Sequence, residues 1–394
     1  MTLKLTAACE PILRRAVSGP PPRVPGVVAC VTGRASNLYE GAAGERLIGG
    51  AAMTLDSVLK LFSGAKAITG VAVLQCVEEG LIDLDAPAKL YAPEIGKLQV
   101  FEGFDAAGDV IARPPKRDVT TRMLMLHLSG LAYENFNPVY ARLARERGIG
   151  RVTAGTKASL MAPLLFDPGD RWEYGIGIDW CGQVVEGVRK RRLGDVLRER
   201  VFEPIGMIDT GFAMNASMRE RRAVVHKREA DGGLTPLPEF EWPAEPEVEM
   251  GGHGLYSTAG DFMKFVRMWL NDGAGPNGRV LRKETVAQAV RNNLPRAYDG
   301  VGKLISAAKG RANDVEFFQG LAKSWGLTFM INDADAPSGR PAGSLGWAGL
   351  GNLYYWIDRK NGVGGLWATQ LFPFADAAAL KSWLAFETAV YRAL

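Results

Sequence analysis

Apolar positions in this chain fall into three kinds of run, and each kind implies a different element. Near the N-terminal end, Val27-Val-Ala-Cys-Val-Thr32 is short, continuous and rich in β-branched residues. After Gly33-Arg-Ala-Ser36 comes Asn37-Leu-Tyr-Glu-Gly-Ala-Ala-Gly44, and that succession predicts an antiparallel hairpin. The last third holds three comparable stretches, Trp325–Ile331, Gly351–Asp358 and Gly365–Leu371. A final run from about Ala377 to Arg392 places Leu380, Trp383, Leu384 and Ala385 at helical spacing. Strands from both ends with helices between them imply one sheet built from the two termini. The third kind of run is Ala65 to Val77, apolar nearly all round and closed by Glu78-Glu79-Gly80, which predicts a buried central helix with a glycine cap. The middle, from about Pro87 to Ala223, reads as mostly helical, with an N-cap at Thr120 or Thr121 and a helix within Gly194–Met207. Asp231 to Pro246, rich in Pro, Gly and Glu, reads as a long surface loop beside a pocket.

Two polar side chains stand at the head of the most apolar run. Ser63 and Lys66, within Leu59-Lys-Leu-Phe-Ser-Gly-Ala-Lys-Ala-Ile-Thr-Gly-Val-Ala-Val-Leu74, are three residues apart, so hydroxyl and amine share one helix face about one turn apart. Serine is a weak nucleophile until a neighbour takes its proton. Phe62, Ala65, Ile68 and Val71 surround the lysine, and burial disfavours its charged form, lowering its pKa toward the operating pH. Acyl transfer needs two things more: a group that moves the proton to the leaving oxygen, and donors for the tetrahedral oxyanion. Tyr174, in Phe166-Asp-Pro-Gly-Asp-Arg-Trp-Glu-Tyr-Gly-Ile-Gly-Ile-Asp-Trp180, is the candidate for the first task. A lysine cation beside that phenol is expected to lower its pKa.

Composition narrows the class. With 394 residues, 47% hydrophobic and 23% charged, the chain has room for a full core and two lobes. The formal charge of +4 is small. Arg189-Lys-Arg-Arg192 lacks the interleaved aromatics of a nucleic-acid surface and reads as a solvated helix face, so no nucleic-acid partner is expected. Cys9, Cys30, Cys76 and Cys181 lie far apart, with no Cys-x-x-Cys and no histidine at metal-ligand spacing. Reduced thiols, no metal and no cofactor are the expectation. The first residues, broken by Glu10, Arg14 and Arg15, read as a helix and not as a secretory signal, and no window of about 18 apolar residues occurs. A cytoplasmic protein without a membrane partner follows as the expectation; oligomeric state is not encoded.

Five segments in order carry a resemblance: Ser63-Gly-Ala-Lys66, Gly80-Leu-Ile-Asp-Leu-Asp-Ala-Pro87, His127-Leu-Ser-Gly-Leu131, Pro168-Gly-Asp-Arg-Trp-Glu-Tyr174 and Met250-Gly-Gly-His-Gly-Leu-Tyr-Ser-Thr-Ala-Gly-Asp-Phe262. The chain resembles the class C β-lactamase-like serine hydrolases over roughly residues 20 to 375. Within them it is most similar to the family VIII carboxylesterases and the lovastatin-type acyltransferases. The resemblance implies an α/β fold of α+β type, the β-lactamase or penicillin-recognising fold, with an antiparallel sheet flanked by helices. Residues 1–86 and 224–394 would form a discontinuous α/β domain and 87–223 a helical one, with the active site at their interface. It makes Ser63 the nucleophile, Lys66 its general base and Tyr174 the acid/base toward the leaving alcohol. The Lys-Thr-Gly signature is replaced by Trp347-Ala348-Gly349, so the Ser63 and Leu350 N–H groups would form the oxyanion hole, with Gly349 and Gly351 letting the strand approach the substrate. Two departures bear on substrate. Tyr174-Gly-Ile176 lacks the asparagine of Tyr-x-Asn, and the lost lysine removes the anchor for a β-lactam carboxylate, so weak β-lactam hydrolysis at most is expected.

Competing sites are poorer. A Ser-His-Asp triad would need one of three histidines: His127 reads as a core residue of an apolar helix, His226 as surface, and His253 as a pocket-lining residue flanked by glycines. No Gly-x-Ser-x-Gly elbow occurs. Gly273-Ala-Gly-Pro-Asn-Gly278 follows a helical stretch and not a strand, so it reads as a loop without a dinucleotide. An aromatic rim of Tyr133, Phe136, Tyr256 and Trp347 suits a small-molecule ester with a short acyl chain. The leading expectation is a serine carboxylesterase, with an acyltransferase on the same residues as its alternative. A non-catalytic relative or a D,D-peptidase stands further back.

Overall fold

The computed structural model describes residues 2–298 and 300–394. The elements that position the site are, in chain order, helix α1 (Thr2–Ala16), strands β1 (Gly26–Thr32) and β2 (Asn37–Gly44), and helices α2 (Lys66–Glu78), α3 (Gly177–Arg189) and α4 (Ala259–Leu270). Strands β3 (Lys323–Trp325), β4 (Met330–Asn332), β5 (Leu345–Gly349), β6 (Leu353–Asp358) and β7 (Val363–Ala368) follow, and helix α5 (Ala377–Ala393) ends the chain. Seven strands form one antiparallel sheet in the order β3-β4-β5-β6-β7-β1-β2, so the N-terminal hairpin closes on the last strand.

Every residue of β1, β6 and β7 is buried, because helices cover both faces of the sheet. Neighbouring glycines on β7 show how. A side chain at Gly364 would meet Val266 of α4, while one at Gly365 would meet the Trp356 ring, which packs 6.1 Å from Phe386 of α5. Successive residues of a strand face opposite ways, so α4 and α5 lie on opposite faces and each glycine admits a bulky neighbour.

Helix α2 is buried from Lys66 through Cys76 and packs against α3, which explains its lack of a polar face. The middle of the chain is mostly short helices and turns; Thr120 caps one of them by accepting from the Met123 N–H at 3.2 Å.

Several local expectations change. Trp325–Ile331 is a tight β3–β4 hairpin and not one strand: Gly326 turns against the Ala289 carbonyl and Thr328 adopts φ +92°. The helix expected within Gly194–Met207 is present, running without interruption from Leu193 to Ile205, with Arg198–Phe202 wound as a π-helix. Gly273–Gly278 carries a two-stranded turn, Ala274–Gly275 with Gly278–Arg279. His226 is buried, not surface, because its strand pairs with Leu371–Phe372 and its Nε2 accepts from the Ile48 N–H at 3.3 Å. His127 is a core residue but sits past the end of its helix, at φ +58°. No described helix is long and apolar enough to cross a membrane.

Candidate active site

Ser63 lies in a 3-10 turn, Phe62–Ala65, that runs directly into α2. The residue before it, Phe62, adopts φ +47°, a region that costs a side chain about 1–3 kcal/mol. Its ring is held by Trp242 at 5.4 Å, Phe372 at 5.7 Å and Phe240 at 6.2 Å. Aromatic packing therefore fixes the turn that leaves Ser63 part-exposed on a cavity of about 450 Å³. Tyr133, Phe136, Tyr174, His253 and Leu350 also line that cavity, together with Phe240 and Trp242 from the 231–246 stretch. Trp347 joins Ser63, Tyr174 and Leu350 in a small adjoining recess.

The Lys66 amine is buried and has three hydrogen-bond partners: Ser63 Oγ at 3.2 Å, Tyr133 Oη at 2.8 Å and the Gly252 carbonyl at 2.8 Å. Burial pushes its pKa down to about 7, although the charge of Asp179 works the other way. Asp179, on the first turn of α3, does not touch the amine; it accepts from Tyr133 Oη at 3.0 Å and from the Gly252 N–H at 2.8 Å, and His253 Nδ1 lies 3.4 Å away. Burial opposes the carboxylate's charge, yet His253, Lys66 and the Gly252 amide together hold its pKa below the usual range. Tyr133 is thus the link between amine and carboxylate.

Tyr174 Oη accepts from Trp347 Nε1 at 3.1 Å, and the Tyr174 ring lies 5.0 Å from the Lys66 amine. Its pKa is raised, not lowered as the sequence suggested: burial outweighs the hydrogen bonds from Ser63 and Trp347. The ring is wedged between His127 at 4.8 Å and Trp347 at 5.0 Å, and His127 Nδ1 accepts from the following Gly175 N–H at 3.4 Å.

Three expectations are corrected. Tyr256 does not line the cavity; its hydroxyl donates to Glu241 at 2.9 Å and its ring lies 5.4 Å from the Lys60 amine. Gly349 and Gly351 allow close approach to the protein's own chain: side chains there would meet the Leu61 carbonyl and the Phe62 ring, so they seat β5 on the Ser63 turn. Tyr133 is more than an aromatic rim, because its hydroxyl meets Lys66. Sequence reading missed Asp179 and Gly252, although both lie within segments singled out for other residues. Among the described residues, no group of three or more His, Cys, Asp or Glu could hold a metal ion.

The profile of the beta-lactamase family matches residues 13–390. The chain belongs to the beta-lactamase family. Over 346 residues it is 31% identical to monacolin J acid methylbutanoyltransferase of Aspergillus terreus, covering 86% of this chain and 83% of that protein. To lovastatin esterase of Penicillium rubens it is 31% identical over 362 residues, 88% of this chain and 89% of that one. A solved structure of a simvastatin synthase mutant from Aspergillus terreus superposes with a TM-score of 0.85 at 27% identity, covering 99% of this chain and 95% of that one. The α+β architecture is therefore that of the β-lactamases and penicillin-binding proteins, and the protein is an enzyme of this serine hydrolase superfamily. By name, one beta-lactamase-family relative transfers an acyl group and another is an esterase.

Proposed function

We propose that the protein is a serine carboxylesterase that cleaves short-chain acyl esters through an acyl-Ser63 intermediate. The observation that carries this reading is the Lys66 amine, shifted to about 7 and 3.2 Å from Ser63 Oγ. A neutral amine has two N–H donors and one lone pair. With the donors spent on Gly252 and Tyr133, the lone pair is left for the serine proton. Ser63 Oγ attacks the ester carbonyl as Lys66 takes that proton, and the oxyanion settles between the Ser63 and Leu350 N–H groups. Tyr174, kept protonated by burial and hydrogen-bonded by Trp347, passes a proton to the departing alcohol and takes back the one that Lys66 received from Ser63, which leaves the amine neutral for the second step. Water then attacks the acyl-serine by the reverse route. Phe136 and Trp347 flank Ser63 and Tyr174 in the adjoining recess, which favours a small apolar acyl group.

Acyl transfer to a second alcohol is the alternative, favoured by the methylbutanoyltransferase that matches 86% of the chain. The same groups serve it, with an alcohol replacing water. Mass spectrometry of the intact protein after mixing with an activated short-chain ester or a phosphonate tests the nucleophile: one adduct is expected, mapped to Ser63 and absent in Ser63→Ala. Ester cleavage by Ser63→Ala at more than a few per cent of the wild-type rate would remove Ser63 from the role. Adding alcohol during turnover separates the two reactions, since a transferase gives a new ester where an esterase gives only acid.

A further inference from the structure

The charged residues on the catalytic cavity are unevenly paired. Arg145, Arg151, Arg311 and Glu134 all line it. Arg145 is bound to Glu146 at 2.9 Å, outside the cavity lining. Among the described residues, neither Arg151 nor Arg311 has a carboxylate within 4.0 Å, so two guanidiniums are left facing the single carboxyl of Glu134. Burial raises the pKa of that carboxyl, with Arg151, Arg311 and His253 acting in the opposite direction.

Arg311 is held in place by aromatic rings. Its guanidinium lies over the rings of Phe240, at 4.8 Å, and Phe372, at 4.9 Å, and its backbone is tied on both sides, to Ala308 and Phe374. Cation–π contact orients a guanidinium while leaving its N–H edge unspent. Both arginines are solvent-exposed, whereas Tyr133 and Tyr174 are buried, so the charges stand at the mouth and the reacting groups at the floor.

We propose that Arg151 and Arg311 form an anion clamp at the cavity mouth, and that the ester taken by this site carries a carboxylate remote from the bond that is cleaved. The clamp rests on the esterase reading of Ser63. It selects among esters and takes no part in the acyl transfer. A guanidinium matches the two oxygens of a carboxylate, and a charge-assisted contact of this kind is roughly twice as strong as a neutral one. The carboxylate belongs either to the acyl part or to the alcohol part.

Two matched pairs of esters test this. For the acyl side, 4-nitrophenyl hydrogen adipate is compared with its methyl ester; for the alcohol side, 4-carboxyphenyl butanoate is compared with 4-carbamoylphenyl butanoate. The wild-type enzyme is expected to favour the charged member of at least one pair by about tenfold or more in kcat/KM at low ionic strength. Within the same enzyme that ratio shrinks as salt is added, a check that needs no variant. It falls toward one in the Arg151→Met/Arg311→Met double variant and is partly kept in Arg311→Lys. A ratio of one or less in both pairs, or a preference that the double variant retains in full, would overturn the clamp while leaving the esterase reading in place. Failure to cleave any of the four esters, with no acyl group on Ser63, would overturn the esterase reading and the clamp with it.

Discussion

Two lysines stand three residues to either side of Ser63, both buried, and they are used in opposite ways. Lys60 meets the Glu241 carboxylate directly at 2.8 Å. Burial lowers its pKa, and the charge and hydrogen bond of Glu241 pull it back up. The pair ties the stretch bearing Phe240 and Trp242 to the strand before Ser63. Lys66 also has a carboxylate nearby, but Asp179 reaches it only through the Tyr133 hydroxyl, and its other partners are a carbonyl and the serine itself. Desolvation then goes largely uncompensated and pushes the amine's pKa down to about 7. One intervening hydroxyl separates a structural ion pair from a candidate base.

Exchanging either lysine for an apolar side chain is the sharpest way to break that contrast. Lys66→Met is expected to lower kcat/KM for a neutral short-chain ester by about 1000-fold, within the range spanned by general-base catalysis, as read in an initial-rate assay. Comparable activity in Lys66→Met and wild type would remove the amine from proton transfer. Asp179→Asn is expected to act more mildly, costing about tenfold at neutral pH through lost positioning of Tyr133 and Lys66. Its distinctive mark is in the pH profile. The Asp179 charge favours protonated Lys66, so removing it lowers the amine's pKa further and shifts the acid limb to lower pH.

Trp347→Phe keeps an aromatic ring, though a smaller one than the indole, and deletes the N–H bonded to Tyr174. A loss of about fivefold in kcat is expected, the cost of one hydrogen bond. Lys60→Met should move turnover least. It leaves the Glu241 carboxylate, which is a quarter exposed, with only the Tyr256 hydroxyl and the more distant Arg222, and thermal unfolding is expected to show a loss of about 1–3 kcal/mol with the pH profile unchanged. A displaced acid limb in Lys60→Met would erase the distinction between the two lysines.

What could be read before folding was local. Ser63 and Lys66 declare themselves because one helical turn sets their separation, and the apolar run around them announces that the amine is buried. Hairpin β1–β2 and helix α5 were legible from continuous or periodic patterns for the same reason. Tyr174 was legible as a candidate, but the direction of its pKa was not, since that depends on how completely His127, Trp172 and Trp347 enclose it. Asp179 and the Gly252 carbonyl meet Lys66 and Tyr133 across separations of more than 40 residues, where spacing carries no signal. His226 misled because charged neighbours in sequence suggest surface, whereas pairing with Leu371–Phe372 and the bond from Ile48 decide its burial.

The most direct test of the Lys66 assignment is the pH dependence of kcat/KM for a neutral ester, measured side by side in wild type and Asp179→Asn. Protonated Lys66 cannot accept the Ser63 proton, so wild-type activity is expected to rise with pH through a limb near 7 and the variant's limb to lie lower. A wild-type profile that stays flat from about pH 5 to 9, or a limb that moves upward in Asp179→Asn, would contradict a lysine base tuned by that carboxylate.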